Sequence, residues 1–394
     1  MTGNTVTPRL FGIRRDRSSL VTAGLVAVLG CSPPAGVAPA PVPHAADGEV
    51  ELMLLLIGDA GEPDPAGDVV LQAAARRAGQ TPGRTVVLFL GDNVYPNGMP
   101  PEGDRSRSRS EERLSLLIDV AAQSGARSIF VPGNHDWGDG GSDGWRRLER
   151  QRALVAARGL SSVSFLPENG CPGPTAVDVS TTVRLVILDS QWWFDDELPA
   201  VVPDSVCPVN STDAVLDSLD RLLRGASGRE TIIVTHHPLA SHGPHGGHFG
   251  LRDHIFPLRH LHSWLWIPLP IVGSVYPLIR QAGFKTQDLS SSKYESMRRE
   301  LDSLFAIHEP FAQVAGHEHN LQILRHTGVE YIFISGAGTY NHSTPVGWGE
   351  DTVFASDESG FITISFLTDG RKRVGVTVVG ETGSSHEVFA QWLE

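Results

Sequence analysis

The chain has 394 residues, 40% of them hydrophobic and 20% charged, with a formal net charge of −13. That length is enough for a folded domain with a generous core, and the acid excess excludes broad nucleic-acid binding, which needs a basic surface to meet the phosphate backbone. Twelve of the sixteen histidines fall between residues 236 and 326, and such clusters point to metal or phosphate chemistry.

At the start of the chain, Arg9, Arg14, Arg15 and Arg17 precede the apolar stretch "LVTAGLVAVLG", which runs up to Cys31. Basic residues, a short apolar run and small residues before a cysteine make up a bacterial export signal, so residues 1–31 are set aside from the fold. "VLGC" resembles a lipoprotein signal with Cys31 as the lipidated N-terminus, although Val28 stands where leucine is usual; plain secretion with cleavage elsewhere is the alternative. The expected location is the periplasm or cell surface, with membrane association through Cys31. "SPPAGVAPAPVPHAADG", residues 32–48, reads as a semi-rigid Pro/Ala tether. Cys171 and Cys207 lie in Pro-rich loops of a chain read as exported, which favours a disulfide between them.

From residue 49 to 394 there is no linker and no internal repeat, so one catalytic domain is expected. The runs "VELMLLLIGD", "TVVLFLGD", "ARSIFVPGN", "TVRLVILDS", "ETIIVTHH", "FAQVAGH" and "VEYIFISG" predict short buried strands. "AGDVVLQAAARRAG" and "SEERLSLLIDVAAQSG" between the early ones predict helices. This alternation argues for an α/β fold with functional groups at the carboxyl ends of strands. "DRSRSRSEER", residues 104–113, reads as a solvated loop. Within the insertion 251–300, the apolar stretch 255–281 is too interrupted by proline, Arg259 and His260 to span a membrane. It is expected either to pack as a lid over the site or to meet a membrane or partner. The tail "GFITISFLTDGRKRVGVTVVG" predicts a hairpin completing a second sheet.

Most of the strand runs end in a polar cluster: Asp59 in "GDAG", Asp92 and Tyr95 in "GDNVY", Asn134 to Asp136 in "GNHD". His236 and His237 follow in "VTHHP", then His317 and His319 in "GHEH". One such ending is weak evidence, since a turn aspartate or a satisfied histidine is common. Five in one chain supply oxygens and imidazoles together, the mix suited to iron, zinc or manganese.

In this order the motifs D-x-G, G-D-x-x-Y, G-N-H-D, H-x-P and G-H-x-H resemble the calcineurin-like metallophosphoesterases, and most nearly the purple, tartrate-resistant acid phosphatases. The resemblance spans residues 50–345 and is especially close at "GHEHNLQIL" and "YIFISGAGT". It implies a four-layer α/β/β/α sandwich, two mixed sheets flanked by helices. Many relatives carry histidine where this chain has Gly61, and Tyr95 would replace that donor with a phenolate, which favours Fe(III). Ala60 departs from the tryptophan usual in purple phosphatases.

Carried over residue by residue, the resemblance implies two metal ions, Fe(III) plus divalent iron, zinc or manganese. The first would take Asp59, Asp92, Tyr95 and His319. The second would share Asp92 and take Asn134, His236 and His317. His236 is preferred to His237 because adjacent strand residues face opposite ways. By the same rule His317 and His319, as i and i+2 of an extended segment, would leave one face, with Glu318 pointing away. His135 would protonate the leaving group, and Asp136 either orients it or caps a turn. His242 and His245 would contact the substrate phosphate. Trp137 and Trp145 are expected to pack, and His342 and Asn341 are left undecided.

The implied reaction is hydrolysis of phosphomonoesters, small-molecule or phosphoprotein, by a metal-bound hydroxide. A phosphodiesterase or nucleotide hydrolase on the same fold is an alternative. So is a surface lipoprotein that binds metal or partners without turnover. "GGSDG", residues 140–144, matches a serine-hydrolase elbow in letters only, since no strand precedes it.

Overall fold

The computed structural model describes residues 42–43, 49–195, 202, 205–225, 228–260, 265–340 and 342–394. The export segment 1–31 with Cys31, nearly all of the 32–48 tether, and Asn341 lie outside them. The chain divides into Met1–Ala40 and Pro41–Glu394, and the fold described is that of the second unit.

Four parallel strands build half of the first sheet: β1 (Val50–Ile57), β2 (Thr85–Leu90), β3 (Arg127–Val131) and β4 (Val163–Phe165). Three antiparallel strands extend it past β1: β12 (Gly360–Leu367), β13 (Lys372–Val379) and β14 (Ser385–Leu393). The order is β14-β13-β12-β1-β2-β3-β4. The second sheet also has seven strands. It contains β5 (Thr175–Asp178), β6 (Val183–Ile187), β7 (Glu230–Val234), β8 (Ala312–Ala315), β9 (Leu321–Arg325), β10 (Tyr331–Ser335) and β11 (Thr352–Ser356). Their order is β11-β9-β10-β8-β7-β6-β5.

Side chains alternate across a strand, and here both faces are covered. Leu52, Leu54 and Leu56 of β1 pack with Leu185, Ile232 and Val314 of the second sheet in one cluster. Leu55 and Ile57 turn the other way, toward the helical layer of α1 (Val69–Ala78) and α2 (Arg107–Ser124). Burial on both faces is why these strands read as unbroken apolar runs. On the second sheet the outer layer holds α4 (Thr212–Arg224) and α7 (Ser292–His308). α3 (Gly144–Ala157) packs beside β4. Two short helices, α5 (Leu251–Ile255) and α6 (Val275–Gln281), belong to the insertion. Cys171 and Cys207 form a disulfide, with their Cα atoms 5.4 Å apart.

Two expectations need correction. The charged run expected as a loop is instead the opening of α2, from Arg107 on. Arg107 pairs with Glu111 one turn on, at 2.8 Å, and Arg113 is buried and binds the Tyr95 carbonyl and Glu62. The buried face begins with Ser110 and Arg113, so apolar periodicity starts only at Leu114. The tail does form a hairpin, but it extends the first sheet and not the second, because β12 pairs antiparallel with β1 from Val50 to Leu56.

Candidate metal centre

The loops that follow β1, β2, β3, β7 and β8 converge at one end of the paired sheets. Asp59 and Asp92 both have φ of 55°, and His317 has φ of 70°. Such left-handed backbone is uncommon outside glycine and persists only where the surroundings impose it. The glycines ahead of the donors are needed for close approach. A Cβ at Gly91 would overlap His236 Nδ1, and one at Gly133 would overlap the Asp92 carboxylate.

Two donor sets result. In the first, Tyr95 Oη lies 3.1 Å from Asp59 Oδ1, 3.1 Å from Asp92 Oδ2 and 3.0 Å from His319 Nε2. His319 Nε2 is 3.4 Å from Asp59 Oδ1. In the second, Asn134 Oδ1 lies 3.1 Å from His236 Nε2 and 3.2 Å from His317 Nδ1. His236 Nε2 is 3.5 Å from Asp92 Oδ2, so Asp92 belongs to both sets.

The outer contacts orient these atoms. His236 Nδ1 donates to the Leu90 carbonyl at 2.8 Å, which turns Nε2 inward. His317 Nε2 donates to the Gln287 carbonyl at 2.9 Å, which turns Nδ1 inward. Asn134 donates its amide to Asp139 at 2.7 Å, leaving its oxygen for the site. His317 N donates to Asp59 Oδ2 and His135 N to Asp92 Oδ1, each at 2.8 Å. Such outer bonds fix the tautomer and aim of metal ligands.

These residues fit cations. Two buried carboxylates, an amide oxygen and imidazole nitrogens crowded this closely need protons or cations between them, and here the Tyr95 hydroxyl donates to both Asp59 and Asp92. Burial, then Asp59 and Asp92, push the Tyr95 phenol well above its ordinary range, so a phenolate there requires a cation. Burial lowers His236 but Asp92 outweighs it, raising the imidazole to about 10. Before a cation binds, a proton stands in for it, and binding must displace that proton. Burial raises Asp92, yet His236 and His135 hold it well below the carboxylate range. Burial and the neighbouring His245 push His317 well below its ordinary value, leaving a neutral nitrogen donor.

Position 61 accounts for the tyrosine. A Cβ at Gly61 would overlap the backbone of Asn93 and Val94. Gly61 N donates to the Asp92 carbonyl at 2.9 Å, and Tyr95 N to the Gly61 carbonyl at 3.1 Å. The loop that delivers Tyr95 thus closes on Gly61 and leaves no room for a side chain there.

Several other residues take parts different from those expected. His317 and His319 do not leave an extended segment; β8 has ended and His317 is left-handed, so the turn itself aims them at different donor sets. Glu318 does point elsewhere. It is buried and accepts from Ser241 Oγ at 2.8 Å and Gly246 N at 2.9 Å, holding the loop between them. Asp136 does not touch the His135 ring. Its carboxylate accepts from the backbone of Gly133, Asn93 and Val94, clamping together the two donor loops. His135 Nδ1 instead meets the Pro96 carbonyl at 2.5 Å, and its Nε2 is 4.0 Å from Asp92 Oδ2 over the site.

His242 Nε2 is taken up by Asp351 at 2.7 Å rather than left for a phosphate. His245 packs its ring on His317, centroids 4.1 Å apart, and its Nδ1 lies 2.9 Å from Asp288. His237 is next to His317 but has both nitrogens engaged, by Ser190 Oγ at 2.8 Å and Gln287 Oε1 at 2.7 Å. Trp137 is fully buried and donates to Asp189 at 2.9 Å. His342 packs tilted against His319, ring centroids 4.2 Å apart, beside the first donor set.

Sequence reasoning missed the contribution of the insertion. Gln287 contacts three histidines, His237 through its side chain and His317 and His245 through its carbonyl, Arg280 binds Asp288 behind His245, and Lys285 feels the charges of Asp92 and Asp139. No motif marks these residues, because each acts across a long stretch of chain. Size does not find the site either. A cavity of about 910 Å³ lined by Glu230, Phe311 and Lys372 lies at the amino ends of β7, β8 and β13, away from the donors.

A family model described as calcineurin-like phosphoesterase matches residues 52–333. No curated protein matches the sequence. Among solved structures, the chain is similar to GAP50, the anchor in the inner membrane complex of Plasmodium, with TM-score 0.53 and 14% identity over 88% of this chain and 89% of that one. The purple acid phosphatase PPD1 from yellow lupin (Lupinus luteus) seeds superposes with TM-score 0.53 and 13% identity, over 86% of this chain and 53% of the lupin enzyme, about half its length. PhoD superposes with TM-score 0.52 and 11% identity, over 90% of this chain and 71% of that one. At these identities the likeness is one of fold.

Proposed function

The chain belongs to the calcineurin-like phosphoesterases, and from that premise we propose that it is an exported phosphomonoesterase of the purple acid phosphatase type. The observation that carries the finer reading is the exchange at position 61, where a glycine with no room for a side chain accompanies a tyrosine in contact with Asp59, Asp92 and His319. A phenolate is a hard, anionic donor, which supports Fe(III) in the first set. Asn134, His236 and His317 suit a divalent partner such as iron, zinc or manganese.

Asp59, Asp92, Tyr95 and His319 would hold one cation, and Asp92, Asn134, His236 and His317 the other. Bound there, the pair supplies Lewis acidity that makes water acidic and neutralises phosphoryl charge. The protein's own groups do the rest. His135 keeps Nδ1 on the Pro96 carbonyl, which leaves Nε2 to carry a proton to the departing oxygen. Asp136 fixes the spacing of the loops bearing Asp92 and Asn134, so that His135 stays over the shared carboxylate.

Export is part of the proposal. It is supported by the N-terminal basic and apolar sequence ending at Cys31 and by the Cys171–Cys207 disulfide, a bond that persists in oxidising compartments.

A monoester and a diester of one phenol distinguish this reading from a phosphodiesterase. The monoester is expected to turn over at least ~10-fold faster in kcat/KM, a preference of about 1.4 kcal/mol. A preference for the diester would contradict the assignment.

A further inference from the structure

Among the described residues, twelve large hydrophobic side chains are exposed, and nine of them fall between Leu251 and Phe284. Ile271 is 89% exposed and Phe284 78%. The helix α6 is built inside out. Val275, Leu278 and Ile279 face outward, while Arg280 is buried and held by Asp288 and Tyr276. In a water-facing helix the apolar stripe turns to the core and the charge to solvent. Here the charged side chain is the inward anchor and the apolar ones are presented. Scattered exposed apolar residues need no explanation, but a concentrated patch marks an interaction surface.

We propose that the exposed apolar residues of 251–256 and 265–284 dock on a lipid bilayer. Two features favour lipid over a second copy of the chain. Trp266 is half exposed beside Phe256, their rings 5.3 Å apart, in an arm of prolines and short turns rather than a flat self-complementary face. Tryptophan with aliphatic neighbours is the pattern of segments that lie in the headgroup boundary. The second feature is the chain's own N-terminal sequence. A lipidated Cys31 would be held in a membrane, and a Pro/Ala tether the length of residues 32–48, at ~3.1 Å per residue, would be long enough for the domain to lie against that surface. The arm is continuous with the site. Gln287, three residues beyond Phe284, carries the carbonyl that orients His317, so docking would set the metal centre close to the bilayer.

The inference does not depend on turnover, and its test separates the two. Full-length protein is reconstituted in vesicles of brominated phosphatidylcholine with a minor fraction of phosphatidylglycerol, and tryptophan emission is compared with that of Trp266→Phe. The expected result is bromine quenching in the wild type of a component that Trp266→Phe lacks. The triple variant Ile271→Ser/Leu278→Ser/Phe284→Ser should lose that quenching while keeping its far-UV spectrum and its turnover of a soluble monoester. Failure to float with vesicles, or equal quenching in wild type and Trp266→Phe, would overturn the proposal. So would a dimer mass in detergent that the triple variant converts to monomer, which would assign the face to a second copy.

Discussion

Asp92→Asn is expected to leave a folded protein that has lost both cations and turnover together. The substitution keeps the side-chain shape, and asparagine is among the few residues that accept the left-handed backbone found at this position. Asparagine can still accept from His135 N, as Asp92 Oδ1 does at 2.8 Å. That leaves an NH2 group where Oδ2 now stands between the donor sets, 3.1 Å from Tyr95 Oη and 3.5 Å from His236 Nε2. Both sets lose an anionic acceptor and gain a donor. Metal ions contribute several kcal/mol of transition-state charge stabilisation. At ~1.4 kcal/mol per decade, kcat/KM should therefore fall at least ~1,000-fold. Elemental analysis of the variant and kinetics on one monoester provide the check. Turnover within tenfold of wild type would mean that Asp92 does not bridge the site.

His135→Ala should separate acid catalysis from metal binding. The substitution spares the backbone N–H that holds Asp92 and removes only the ring, whose Nε2 lies over the shared carboxylate. Metal content should stay at the wild-type level. Loss of a positioned general acid lowers rates by roughly 10²–10⁴, and that loss should fall on alkyl phosphates, whose leaving oxygen needs the proton. Aryl phosphates with acidic phenols leave without one and should be much less affected. An equal loss on both classes would assign the ring a structural part, through its packing on Tyr95 at 4.5 Å between centroids.

The candidate donor residues were legible because each sits in a loop within about five residues of a strand end, and the strands are buried on both faces. "LMLLLIGD" and "IIVTHH" therefore announce both the strand and the place where it stops. The start of α2 was hidden because its buried face opens with Ser110 and Arg113, and polar residues carry no apolar period. The partner of the C-terminal hairpin was hidden too. Pairing of β12 with β1 joins residues some three hundred positions apart, and strand composition does not name a partner. The turn at His317 could not be read, since histidine rarely adopts φ of 70° and no letter in "GHEH" signals it. Gln287, Arg280 and Asp288 lie in the insertion, whose apolar composition drew attention to its exposed residues and away from its polar root.

The central claim is that Asp59, Asp92, Tyr95, Asn134, His236, His317 and His319 hold two cations that turnover requires. The most direct measurement is turnover of a monoester by chelator-stripped protein as metal is returned and bound metal is counted. The account predicts no turnover in the stripped protein and full turnover only at two ions per chain. Full turnover with one ion, or with none, would contradict it.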